Sequence, residues 1–229
     1  MKICIITDER TGGTCFTTAF STCGLIVSHD PQTKSAERFN RDFNNMTDLL
    51  SFSYQKFDVV KLCYISFSIK QYTEILDYCI RNNIIIIVLH REDIFKRAQS
   101  KCVAEKLKTF HALNLDKVYK PFSINLDLYK RIIHHYNSHI TSHINYLNNN
   151  NYNYYFVTYE ELFGNKTLIY DLFQHLGLII QDQSKLNKLM NKDYNTITKN
   201  SLLQNFDKIR EINNDYSKPS FLLTCSIKY

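Results

Sequence analysis

The sequence predicts an α/β protein with three layers, αβα, around a mostly parallel sheet. Short apolar runs alternate with longer amphipathic segments along the 229 residues, the pattern of βαβ units. The run Ile84-Ile-Ile-Ile-Val-Leu89 contains no polar residue, as a central parallel strand covered on both faces requires. Segments rich in glycine, hydroxyl or charge follow the first, central and late strands directly. They are expected at the carboxyl edge of the sheet, where such folds bind ligands.

In chain order, Lys2–Ile6 is the first buried strand, and Thr14–Cys23 is a helix with Gly24 as its C-cap. Ser35–Phe43 is a polar helix with Phe39 and Phe43 on one face. Asp58–Ile65 is rich in β-formers and reads as the second strand, and Ile69–Arg81 as a helix. The Ile84–Leu89 strand leads into a helix from Asp93 to about Lys108. A long helix covers Asn125–Leu147, with Leu126, Tyr129, Ile133, Tyr136, Ile140, Ile144 and Leu147 forming one stripe. Tyr154–Thr158 is a late strand, Leu168–Leu176 a helix closed by Gly177, and Ser201–Ile212 the last clear helix.

With only 5 Gly and 3 Pro there is little linker material, so residues 1–229 are expected to form a single domain. No apolar run approaches the about 18–20 residues of a membrane span. The start, Met1-Lys-Ile-Cys-Ile-Ile, turns polar at Thr7 and reads as a strand, not a secretion signal. The 7 cysteines are scattered without a CxxC pair, which suits a reducing, cytoplasmic compartment and argues against a cysteine zinc site. A formal charge of +6 favours an anionic ligand, but no basic block interleaved with aromatics argues for nucleic acid. His135, His139 and His143 recur at four-residue spacing, a geometry that can chelate zinc. Their place on the border of the apolar stripe explains them without a metal, and none is expected.

Arg10-Thr-Gly-Gly-Thr14 follows the first strand. Its glycines let backbone approach an anion closely, Thr11 and Thr14 add hydroxyls, and Arg10 adds a charged fork. The Lys–Ser/Thr pair of a nucleotide-hydrolysing P-loop is missing, which points to phosphate or sulfate binding without its Mg²⁺ site.

These segments resemble the sulfotransferase family, nearest in pattern to bacterial and viral carbohydrate-type members. Arg10, Thr11, Gly12, Gly13 and Thr14 fall on the last five positions of that family's phosphosulfate loop, with Glu9 where Pro is usual. Arg91, Asp93 and Ser100 match its R-x-D pattern with Ser seven positions past the Asp, and Val157–Leu162 with Leu172–Leu178 resembles its late stretch. The resemblance implies a P-loop NTPase-like fold of sulfotransferase type. It also implies transfer of a sulfuryl group from 3′-phosphoadenosine 5′-phosphosulfate (PAPS) to a hydroxyl acceptor, here a carbohydrate or other small molecule. By it, Arg10, Thr11, Gly12, Gly13 and Thr14 cradle the phosphosulfate, Arg91 and Ser100 grip the 3′-phosphate, and Tyr159 lies near the adenine. Arg10 takes the leaving-group charge. Ser35-Ala-Glu-Arg-Phe39 resembles the segment that supplies a Glu base in sugar-sulfating members, so Glu37 is the expected base. Lys61 is an auxiliary charge; the His of other members is replaced by Cys63.

Two other functions compete. A Mg²⁺-dependent phosphotransferase is disfavoured by the missing Lys–Ser/Thr pair. A nucleotide- or glycan-binding protein without turnover is kept open by the departures at Glu9, Gly13 and Cys63. Acceptor specificity is expected from the loops at His29–Leu50 and after Gln181.

Overall fold

The computed structural model describes residues 1–31, 43–63, 67–108, 120–165, 167–190 and 203–216. The chain divides into two compact units. The first holds the described residues of Met1–Glu92 and Asn153–Lys192, the second those of Asp93–Tyr152 and Asp193–Thr224.

The first unit is built on five parallel strands: β1 (Ile3–Thr7), β2 (Val27–His29), β3 (Val59–Cys63), β4 (Ile85–His90) and β5 (Tyr155–Thr158). Their order across the sheet is β2-β3-β1-β4-β5. Every residue of β1 is buried, because β1 lies centrally between β3 and β4 and both its faces are covered. On one face Ile3, Ile5, Val59, Ile87 and Leu89 pack with Phe16 and Phe20 of the α1 segment (helix Gly13–Ala19, continued as 3₁₀ turns over Phe20–Cys23). The same core takes in Phe173 of α7 (Thr167–His175) and Leu186 of α8 (Gln183–Met190). The opposite face, which carries Cys4, meets Tyr54 of α2 (Met46–Lys56) and Cys79 of α3 (Ile69–Arg81). Helices thus lie on both faces, as the βαβ reading requires.

The expected elements among the described residues, as far as the Leu168–Leu176 helix, match their sequence signals to within about two residues, the usual fraying of helix and strand ends. The helix expected over Ser201–Ile212 runs from Phe206 to Asp215, because Leu203 and Gln204 pair with Phe122 instead. The helix at Ile69–Arg81 is bounded as expected because Ser68 and Gln71 form a reciprocal capping box. Gly24 ends the 3₁₀ turns in the left-handed region at φ 81°. Three elements had no adequate signal, among them α8 over Gln183–Met190, in a stretch expected as a loop. β2 is three residues long and carries Ser and His, and α2 buries Ser53 in the middle of its apolar face while Phe52 stays partly exposed. The strand expected as second is therefore third in the chain. The helix expected over Ser35–Phe43 lies, except for Phe43, outside the described residues.

The second unit contains α4 (Ile94–Leu107), α5 (Leu126–Asn149) and α9 (Phe206–Asp215), with α4 packed on α5. Tyr129, Ile133, Tyr136, Ile144 and Leu147 of the expected stripe are buried. Arg97 is fully buried, its guanidinium carbon 3.4 Å from the centre of the Tyr136 ring. Tyr129 ties α5 to α9 by donating to Asn213 Oδ1 at 2.7 Å. No helix among the described residues is long and apolar enough to cross a membrane.

Candidate anion site at the carboxyl edge of the sheet

The strand order sets the site. From β1 the chain passes across β3 to β2, whereas from β4 it leaves toward β5 on the other side. Neighbouring strands whose connections depart in opposite directions open a crevice at their carboxyl ends. The β1 loop, the residues after β4 and the start of α6 (Tyr159–Gly164, following β5) all reach that edge.

The β1 loop is stiffened from within. Thr11, fully buried, donates its hydroxyl to Asp8 O at 2.8 Å and is also hydrogen-bonded to the Thr7 hydroxyl. Asp8 Oδ1 accepts from Glu9 N at 2.7 Å. Arg10 sits in the left-handed region at φ 62° and Gly12 at φ 75°. Gly12 caps α1 without any side-chain hydrogen bond, and Thr14 is exposed at the helix start. A Cβ on Gly12 would lie 2.7 Å from Phe163 Cε2 and 2.9 Å from Tyr159 Cδ2. One on Gly13 would meet the Thr7 side chain at 2.9 Å and Lys61 Cδ at 3.3 Å. Both glycines are thus close-approach positions, Gly12 on steric and conformational grounds together.

Arg91, 8% exposed, is the best-defined cation of the edge. Its Nη1 donates to Arg10 O at 3.2 Å, and its guanidinium carbon lies 4.4 Å over the Tyr159 ring. Tyr159 in turn packs on Phe163 with ring centres 4.6 Å apart. Glu160 holds the turn from the other side: Oε1 is 3.8 Å from Arg91 Nε, and Oε2 accepts from Glu92 N at 2.9 Å. Burial, with the nearby charges of Glu160 and Glu161, raises the Glu92 carboxyl above its ordinary value. His90, at the end of β4, is pushed down to about 4 by burial and stays neutral at physiological pH.

Lys61 lies in the middle of β3, its side chain 8% exposed, and its ammonium is ion-paired with Asp30. Cys63, two residues on, is partly exposed.

The structure therefore brings Arg10, Thr11, Gly12, Gly13, Arg91 and Tyr159 together, with the Lys61 stem beside Gly13. Thr11 uses its hydroxyl to fasten the loop. Asp93 caps α4 by accepting from Lys96 N at 2.8 Å, and Ser100, buried on the same helix, belongs to the second unit. Glu37 lies outside the described residues. Asp30 and Glu160 have no counterpart among the expected site residues. Asp30 is a solitary acidic residue in sequence and Glu160 the first of an acidic pair at a helix start, and only the folded chain sets each against a cation.

In the second unit, His135, His139 and His143 follow one another along α5 with ring centres 4.4 and 5.3 Å apart and their planes tilted. Among the described residues no three His, Cys, Asp or Glu are grouped to hold a metal ion. A cleft of about 730 Å³ in that unit is lined by Cys102, Ser123, Asn125, Asp127, Asn205 and Lys208, among others. Its amides have internal duties: Asn125 caps α5, and Asn205 bonds the backbone of Ile124 in both directions.

No protein-family model matches this sequence, and no curated protein matches it.

Proposed function

We propose that the chain binds PAPS at the carboxyl edge of β1, β4 and β5 and transfers its sulfuryl group to a hydroxyl acceptor, a carbohydrate or similar molecule. The observation that carries this reading is the Arg91 guanidinium, buried between the Tyr159 ring and the Arg10 carbonyl at the β1–β4 crevice. A fork of donors beside an aromatic face suits a nucleotide that carries an extra phosphate. The glycine turn next to it supports the phosphosulfate end and the finer description of the fold as P-loop-like.

In the proposed reaction the acceptor oxygen forms a bond to sulfur as the bond from sulfur to the bridging oxygen breaks. The leaving 3′-phosphoadenosine 5′-phosphate (PAP) takes the electron pair. Arg10 and Lys61 offset its new charge, and Glu37 takes the acceptor proton. Binding without turnover is the second reading. It is favoured by the carboxylates of Glu160 and Asp30, which already partner Arg91 and Lys61.

Calorimetric titration with PAP, against ADP and Mg²⁺·ATP, on wild type and Arg91→Ala tests the site. Micromolar PAP binding that the variant loses supports it. Preference for Mg²⁺·ATP, or no nucleotide binding, overturns it. Turnover with PAPS on a panel of sugar hydroxyls then separates transferase from binder.

A further inference from the structure

We propose that Asp30 is the positioning residue of this site, holding Lys61, whose stem lies beside Gly13, so that its ammonium faces the anionic end of the bound nucleotide. The inference rests on the nucleotide reading above and adds to it a residue that the sequence did not single out.

Lys61 is an unusual residue to find inside a parallel strand. β3 pairs on both sides, with Val27–His29 of β2 and Ile3–Thr7 of β1, and four of its five residues are buried. Burying the ammonium of a lysine there is costly unless a counter-charge offsets the lost hydration. Asp30 supplies that charge, and it is tied to the same residue twice. Its backbone N–H donates to Lys61 O at 2.8 Å, and its carboxylate pairs with Lys61 Nζ. To make both contacts Asp30 leaves β2 in the left-handed region, at φ 46°, a conformation uncommon for a residue other than glycine. Backbone strain of this kind persists where the surrounding contacts over-determine it.

The direction of the lysine stem links the pair to the anion loop. A Cβ on Gly13 would come within 3.3 Å of Lys61 Cδ and 2.9 Å of Thr7 Cγ2. The stem thus passes beside the first residue of α1, and the bare Cα of Gly13 leaves room for it. With the stem confined and the tip held by Asp30, the charge has little rotamer freedom left to lose when an anion binds. Asp30 is also accessible enough, with 24% of its side chain exposed, for a ligand to approach the pair.

The test combines PAP titration with amine acylation. PAP affinity is measured on wild type, Lys61→Met, Asp30→Asn, Asp30→Glu and the double variant Lys61→Met/Asp30→Asn, alongside their thermal midpoints. In parallel, native protein is treated with acetic anhydride and the Lys61 peptide is followed by mass spectrometry. Loss of PAP affinity by about tenfold is expected in each single charge-removing variant, with no further loss in the double variant. Asp30→Glu should restore most of it, and Lys61 should acylate about tenfold faster in Asp30→Asn than in wild type.

Wild-type or tighter PAP affinity in Asp30→Asn overturns the proposal, as does additive loss in the double variant. A merely structural ion pair would lower the thermal midpoint and leave PAP affinity unchanged. If wild type binds no PAP, the nucleotide reading fails by itself. The acylation rates then decide the positioning of Lys61, and an unchanged rate in Asp30→Asn overturns that too.

Discussion

The guanidinium carbon of Arg91 lies 4.4 Å above the ring of Tyr159, joining the residue that follows β4 to the residue that follows β5. Neither element contributes the contact alone. It arises because β4 and β5 pair in register, with His90 beside Thr158, so that the next residue of each strand emerges at the same level. The same ring lies against Gly12, which makes Tyr159 a shelf between the β1 loop and the buried cation.

Removing that shelf should be felt in both stability and binding. Tyr159→Ala is expected to cost about 1–2 kcal/mol of unfolding free energy in urea, the range for a largely desolvated cation–aromatic contact. It should weaken PAP binding as well. Tyr159→Phe keeps the ring and should stay within about 0.5 kcal/mol of wild type. Equal stability of the Ala and Phe variants would show that the contact with Arg91 contributes nothing.

Gly12→Ala combines a positive φ with a Cβ 2.7 Å from an aromatic carbon, and should destabilise by about 1–3 kcal/mol. Gly164→Ala is the matched control, because nothing lies within 4 Å of the added Cβ. Chemical denaturation of the two variants side by side separates the steric effect from any general intolerance of α6 and its neighbours.

His90 gives the fold a defined acid sensitivity. Its folded-state value, about 4, lies below the ordinary 6.5 because burial disfavours the charged ring. The unfolded chain therefore binds the proton more readily, and stability contributed by the neutral ring is complete above about pH 6.5. It is lost progressively as pH falls toward 4, by on the order of 3 kcal/mol in total. Urea unfolding of wild type and His90→Leu between pH 4 and 7.5 should show a steeper loss in wild type. Parallel curves would exclude His90 as the source.

The cysteines should separate by burial when treated with an aromatic disulfide reagent under native conditions. Cys15 and Cys63 are partly exposed and should react first. Cys4, Cys79 and Cys102 are buried, and burial raises the Cys102 thiol to about 12. The hydrogen bond with Cys4, and burial with it, raises Cys79 well above its ordinary value. Their reaction should be slower by at least about tenfold, since the thiolate is the reactive form. Comparable rates for all of these thiols would contradict the packing of α3 against β1.

The sequence by itself determined the elements whose signal is local. The unbroken Ile84–Leu89 run, the terminal Gly24 and the three- and four-residue steps from Tyr129 to Leu147 each state a conformation within one or two turns of chain. They sufficed for an α/β fold, and the segments after β1, β4 and β5 were legible as edge segments because strand ends carry glycine, hydroxyl and charge. β2, α2 and α8 were not legible, the last because only Leu186 and Met190 of its eight residues are buried. Val27-Ser-His29 is too short to show a period, and the buried Ser53 interrupts the apolar face that would have marked α2.

Only the tertiary structure decided which charges meet. Asp30 and Lys61 are brought together by the pairing of β2 with β3, and Arg91 and Glu160 by the pairing of β4 with β5. Strand order and register are set by how apolar faces cover one another across the whole sheet, and no local spacing encodes them.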